Sequence, residues 1–221
     1  MPGAATIPAV SFAVLEAAPL ERAAVPTLRF ALHVEGPPGV DVRAILLDVQ
    51  IQIAARRRPY ADEEHGRLHD LFGPPDAWSS SLRTLLWTRT SMTVPRFSGR
   101  TVVDVLVPCT YDFEVLASRY LDALTGGDVP LELLFSGTVM HLGDDGALQV
   151  TRIPWDLEAE YALPLDVWRA TMDQHFPGTA WLRVPKDTFD RLAAFRARRV
   201  LPTWEAALDA LLDDEEGRRD G

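Results

Sequence analysis

Residues 129–161, VPLELLFSGTVMHLGDDGALQVTRIPWDLEAEY, constrain the fold more than any other stretch of the chain. Val129, Leu131, Leu133, Phe135 and Val139 recur with a period of two, which belongs to a strand with one buried face. The other parity carries Glu132, Ser136 and Thr138 but also Leu134, Met140 and Leu142, so that face is only partly polar. Gly143-Asp144-Asp145-Gly146 supplies residues that tolerate a positive φ, as a tight reversal requires. On the returning side Leu148 and Val150 are apolar at even positions, whereas after Pro154 the apolar set is Trp155, Leu157, Ala159 and Tyr161, at odd positions. That change predicts a one-residue phase slip at the proline, of the kind a β-bulge produces.

The same alternation predicts strands over residues 8–15, 27–35, 42–54, 82–94 and 101–107, with short polar turns between them. Asp62 is the expected N-cap of a helix over 62–72, with Leu68, Leu71 and Phe72 as its apolar stripe. Asp112 is the expected cap of a second helix through Val115, Leu116, Tyr120 and Leu124. After Pro164 the period lengthens: Leu165, Trp168, Met172 and Phe176 recur at helical spacing. Pro185 opens another helix, and Thr203 caps one whose apolar face holds Trp204, Ala207, Leu208, Leu211 and Leu212. Strand and helix are thus segregated along the chain. The expected class is α+β: an antiparallel β-sandwich, immunoglobulin-like or similar, over 8–162, a helical C-terminal segment over 163–213 packed on it, and a charged, frayed tail over 214–221.

Composition removes several functions. A net charge of −10 over 221 residues argues against nucleic acid as the partner, because phosphate recognition needs a basic face. No apolar run approaches membrane-spanning length and the first residues lack a basic start, so neither a membrane segment nor a signal peptide is expected. Cys109 is the single cysteine, which rules out an intrachain disulfide and suits a reducing cytoplasm. Lys186 is the single lysine among many arginines, a bias that suggests a GC-rich bacterial genome.

Candidate chemistry is sparse. Asp62, His65 and His69 fall within about 60° of one another on a helix, and a carboxylate with two imidazoles could hold a divalent metal and support a metal-dependent hydrolase. A cap and two histidines on a helix edge explain the same trio more simply. Cys109 would be a nucleophile only beside a base, and no local signature supplies one. Asp156, Glu158 and Glu160 share one face of a strand at a spacing of roughly 6.5 to 7 Å, close to that of an inverting glycosidase pair, but three in a row is the pattern of a solvated face. Arg56-Arg57-Arg58 could bind phosphate or guard a strand end. No catalytic residue and no cofactor is expected, and the partner expected is another protein, with Trp181 the candidate interface anchor.

Several segments resemble an uncharacterised bacterial family of unknown function: LHDLFGPPDAW, LRTLLWTRTSMTVPRFSG, VPLELLFSGTV, IPWDLEAEYALPLDVWRATMDQHFPGTAWL and LPTWEAALDALL. The resemblance covers nearly the whole chain and brings no catalytic residue with it. It implies an accessory role, since genes of that family often lie beside those for uptake nickel–iron hydrogenases and their maturation factors.

Overall fold

The computed structural model describes residues 10–109, 115–143, 145–175, 177 and 184–219, without the Val115 side chain. The chain divides into two compact units, Met1–Pro177 and Gly178–Gly221. In the first unit β1 (Ser11–Pro19), β2 (Thr27–Glu35) and β3 (Asp41–Ile53) are followed by α1 (Asp62–Phe72) and the short α2 (Trp78–Ser81). Then come β4 (Leu85–Val94), β5 (Phe97–Ser98), β6 (Arg100–Pro108), α3 (Val115–Ala123), β7 (Asp128–Leu142), β8 (Leu148–Arg152), β9 (Glu158–Pro164) and α4 (Leu165–Asp173). The second unit holds α5 (Lys186–Arg198) and α6 (Trp204–Arg219).

The strands form two antiparallel sheets. One has the order β1-β2-β6; the other runs β4-β3-β7-β8, with β5 added to β3 and β9 added to β7. From Ile45 onward the odd-numbered residues of β3 face inward with those of β7, so Ile45, Leu47, Val49 and Ile51 lie beside Val139, Phe135 and Leu133 in one buried layer. Across the sandwich Phe12 stacks on Phe135 at 4.4 Å, and Phe30 meets Trp87 and Tyr161 edge-on. α4 packs on β1 and β9 and buries Leu165 and Trp168, so this helix belongs to the sheet unit. The class is α+β with a sandwich-like pair of sheets and a helical C-terminal segment, as the segregation of periods predicts.

The hairpin differs from its expectation in one instructive way. Thr138 pairs with Arg152 and Leu134 with Glu158, so while β7 spans four residues the returning chain spans six. The excess is two residues, not one, and an offset of two preserves parity. Leu148 and Val150 therefore stay on the outer face instead of joining the core. The return is split into β8 and β9 by a turn around Pro154, in which the Leu157 N–H donates to the Pro154 carbonyl at 3.4 Å, while the Leu157 carbonyl accepts the Phe135 N–H of β7 at 3.0 Å.

Two further details depart from expectation. Asp62 is the first residue of α1 and not its cap; the capping bond comes from Glu64, whose carboxylate accepts the Ala61 N–H at 2.9 Å. Residues 75–81, to which the periodicity assigns no element, form helical turns in which the Trp78 indole N–H donates to the Gly73 carbonyl at 2.9 Å and the ring packs against Tyr60 and Phe72. Thr203 does cap the last helix, accepting the Ala206 N–H at 3.1 Å. That helix continues through Arg219, where the residues were expected to fray, with Arg219 paired to Glu215 one turn back. Asp112 and Phe176 lie outside the described residues.

Candidate functional site

The preserved parity of β8 builds an apolar surface on the outer face of the larger sheet. Met140 pairs with Val150 and with Ala44, Leu142 with Leu148, and Leu46 lies one pair along on β3. Leu148 and Val150 are each 60% exposed. The turn that separates β8 from β9 then projects Trp155 into solvent at 92% exposure, more than any other large apolar side chain among the described residues. Single exposed apolar residues are ordinary, but Leu46, Leu148 and Val150 share the outer face of one sheet and Trp155 is exposed in the turn that follows β8, a concentration of apolar surface of the kind that marks an interaction site.

The densest polar cluster lies elsewhere, where α1 meets the loop after α3. The sequence places Arg58 just before α1, Glu64 one turn inside it and Thr125-Gly126 at the end of α3, and folding brings all of them together. Glu64 is 1% exposed and Arg58 6%, yet the pair is bidentate, with contacts of 2.7 and 2.9 Å. The remaining Arg58 N–H groups go to the carbonyls of Pro59, Gly126 and Asp128. A guanidinium has five N–H donors, so none is left over. Glu64 is equally committed: besides Arg58 and Ala61 it accepts the Thr125 N–H at 2.7 Å and the Thr125 hydroxyl at 3.2 Å. Burial by itself would raise the Glu64 carboxyl, but the Arg58 hydrogen bonds and the Thr125 and Ala61 N–H groups outweigh it and hold the pKa at about 2.

Beside this pair Tyr120 donates to the Tyr60 hydroxyl across 2.8 Å, and Tyr60 donates to the Ala55 carbonyl at 2.6 Å. Burial pushes both phenols up, so each remains a neutral donor and not a base. An open cleft of about 680 Å³ runs over Pro59, Ala61, Gly127 and Asp128 at the surface of this cluster. Its polar lining is already spent on internal partners. The cluster therefore ties α1, α3 and the start of β7 together, and it offers a ligand little to bind.

The residues singled out from sequence are scattered through these features. Asp62 is fully exposed, 3.7 Å from His65 Nδ1, while the His65 ring packs edge-on against Trp78. His69 is exposed on α1, and its carbonyl accepts the Gly73 N–H that ends the helix. Among the described residues no group of three His, Cys, Asp or Glu side chains is placed to hold a metal ion. Purified protein is accordingly expected to carry no stoichiometric zinc, nickel or iron. Elemental analysis that finds one metal per chain, lost in His65→Ala, would restore the hydrolase reading.

Cys109 is buried at the end of β6, with its thiol 3.6 Å from the Val107 carbonyl. The arginine run separates: Arg56 reaches the Ser79 carbonyl, Arg57 bridges Glu132 and Glu160, and Arg58 enters the buried pair. Glu160 is thereby a partner of Arg57, and Asp156 lies in the Trp155 turn. Trp181 lies outside the described residues. Sequence reasoning missed Trp155, although the Pro154-Trp155-Asp156 turn composition was the available signal.

Among the described residues no helix is long and apolar enough to cross a membrane. No curated protein matches the chain. The family of unknown function DUF6084 matches residues 7–220, and the chain belongs to that family.

Proposed function

We propose that this protein is a non-enzymatic accessory or binding protein of the bacterial cytoplasm, that its partner is another protein, and that it assists assembly or maturation of a nickel–iron hydrogenase. The observation that carries the binding reading is Trp155, 92% exposed in the turn that follows the solvated Leu148 and Val150 of β8. Interface energy concentrates in a few aromatic and arginine anchors, and a tryptophan side chain, with only two rotatable bonds, has little conformational freedom to lose on docking. The buried cluster around Arg58 supports the same reading, because its donors and acceptors are committed to holding the fold. The hydrogenase assignment rests on the family resemblance and its gene neighbourhood.

The experiment is deletion of the gene in its native host, followed by assay of hydrogenase processing and activity. Loss of processing, restored by the intact gene, is the expected result. A deletion strain that processes and activates its hydrogenase normally removes the hydrogenase assignment.

A further inference from the structure

The helical C-terminal unit carries a second surface of different chemistry. α5 buries none of its residues fully, although it contains Phe189, Leu192 and Phe195. Phe189 is placed 5.0 Å from the Trp204 ring of α6, and Arg196 stacks over the same indole at 4.0 Å, which accounts for one flank of the helix. The other flank forms a groove of about 460 Å³ lined by Thr188, Arg191, Leu192, Phe195 and Arg198, with Leu211 from α6. Its floor is apolar and its rim holds two arginines. Arg199 next to it is neutralised by Asp214 at 2.8 Å. Among the described residues Arg191 and Arg198 have no ion-pair or hydrogen-bond partner.

We infer that this groove docks an acidic amphipathic helix of a partner protein. Arg191 and Arg198 are seven residues apart, so they lie within about 20° of each other on the helix and about 10.5 Å apart along it. A partner helix meets that spacing with two carboxylates seven residues apart, while its leucine or methionine stripe covers Phe195 and Leu211. Planar guanidinium groups suit carboxylates in bidentate geometry. A polyphosphate fits less well, because it has no apolar group to cover the floor of Leu192, Phe195 and Leu211. The chain's overall charge of −10 does not prevent the contact: at physiological ionic strength exposed charges beyond about 8 Å are largely screened, and the groove's own arginines dominate at contact distance.

This inference shares with the function above only the premise of a protein partner, and it concerns a different surface. The probe is a synthetic amphipathic helical peptide with two glutamates seven residues apart beside a leucine stripe, labelled for fluorescence anisotropy, with a lysine counterpart as control. The full-length protein should bind the glutamate peptide at least about tenfold more tightly than the lysine peptide. The double variant Arg191→Glu/Arg198→Glu should reverse that preference, with unchanged helical circular dichroism, and Trp155→Ala should leave both affinities unchanged. Equal binding of the two peptides, binding of neither, or a preference that survives the double variant overturns the inference and leaves the Trp155 surface standing. An Arg191- and Arg198-dependent dimer by sedimentation, competing with the glutamate peptide, also overturns it and makes a second copy the occupant.

Discussion

Gly137→Ala is expected to cost about 4 kcal/mol or more, enough to bring a domain of ordinary stability close to unfolding. Gly137 lies in the middle of β7 at φ 134°, a conformation that side chains other than glycine rarely adopt. A Cβ there would sit 2.0 Å from the Leu46 carbonyl oxygen and 3.1 Å from its carbon, both backbone atoms of β3. Backbone cannot swing aside as a flexible side chain can, so the β3–β7 ladder itself must part, and that ladder is the centre of the larger sheet. Gly137 also opposes the inserted turn, its carbonyl accepting the Ile153 N–H at 3.0 Å. Gly146→Ala serves as the control: it has a positive φ of 74° but nothing within 4 Å of the added carbon, and it should cost only about 1 kcal/mol. Urea midpoints placing Gly137→Ala within 1 kcal/mol of the parent would refute the close approach.

Removing one partner of the Arg58–Glu64 pair should cost about 3–5 kcal/mol, because it strands the other charge in the interior. Arg58→Ala and Glu64→Gln test the two sides. The combination Arg58→Ala/Glu64→Leu should recover much of the loss of Arg58→Ala alone, since no buried charge then remains. Acid should act through the same carboxylate. The Glu64 pKa is held at about 2 against an ordinary 4.5. Its contribution is therefore fully present above about pH 4.5 and fades as the pH falls through the window down to about 2; the full drop is worth about 3 kcal/mol. Glu64→Gln should lose the part of the acid dependence that lies in this window. A parent protein equally stable at pH 2.5 and pH 5, or a Glu64→Gln variant with an undiminished acid limb, would show that the pair does not hold the fold.

The strands and helices were legible because their periods are clean. Leu28, Phe30, Leu32 and Val34 of β2 and Ile45, Leu47, Val49, Ile51 and Ile53 of β3 recur every second residue and are buried, and Leu68 and Phe72 mark the buried stripe of α1. What sequence could not supply was the size of the insertion at Pro154. One extra residue and two extra residues look alike in composition, yet only the first would turn Leu148 and Val150 inward. The candidate surface depends on that difference of one residue. Glu64 was hidden for another reason: three acidic residues open α1, and nothing local tells which one turns back to meet Arg58 and Thr125, the latter 61 residues further along the chain. Gly137 carried a readable signal, since an isolated glycine inside a strand pattern marks a bulge or a close backbone approach.

Whether activity resides in a surface or in a reacting group is tested most directly by complementing the deletion strain with single variants that stay folded. Cys109→Ser, His69→Ala and Glu158→Gln should each restore hydrogenase processing to the level of the intact gene, and Trp155→Ala should not. If Cys109→Ser or His69→Ala alone abolishes processing in a folded protein while Trp155→Ala restores it, the protein works through a reacting group and the binding function is wrong.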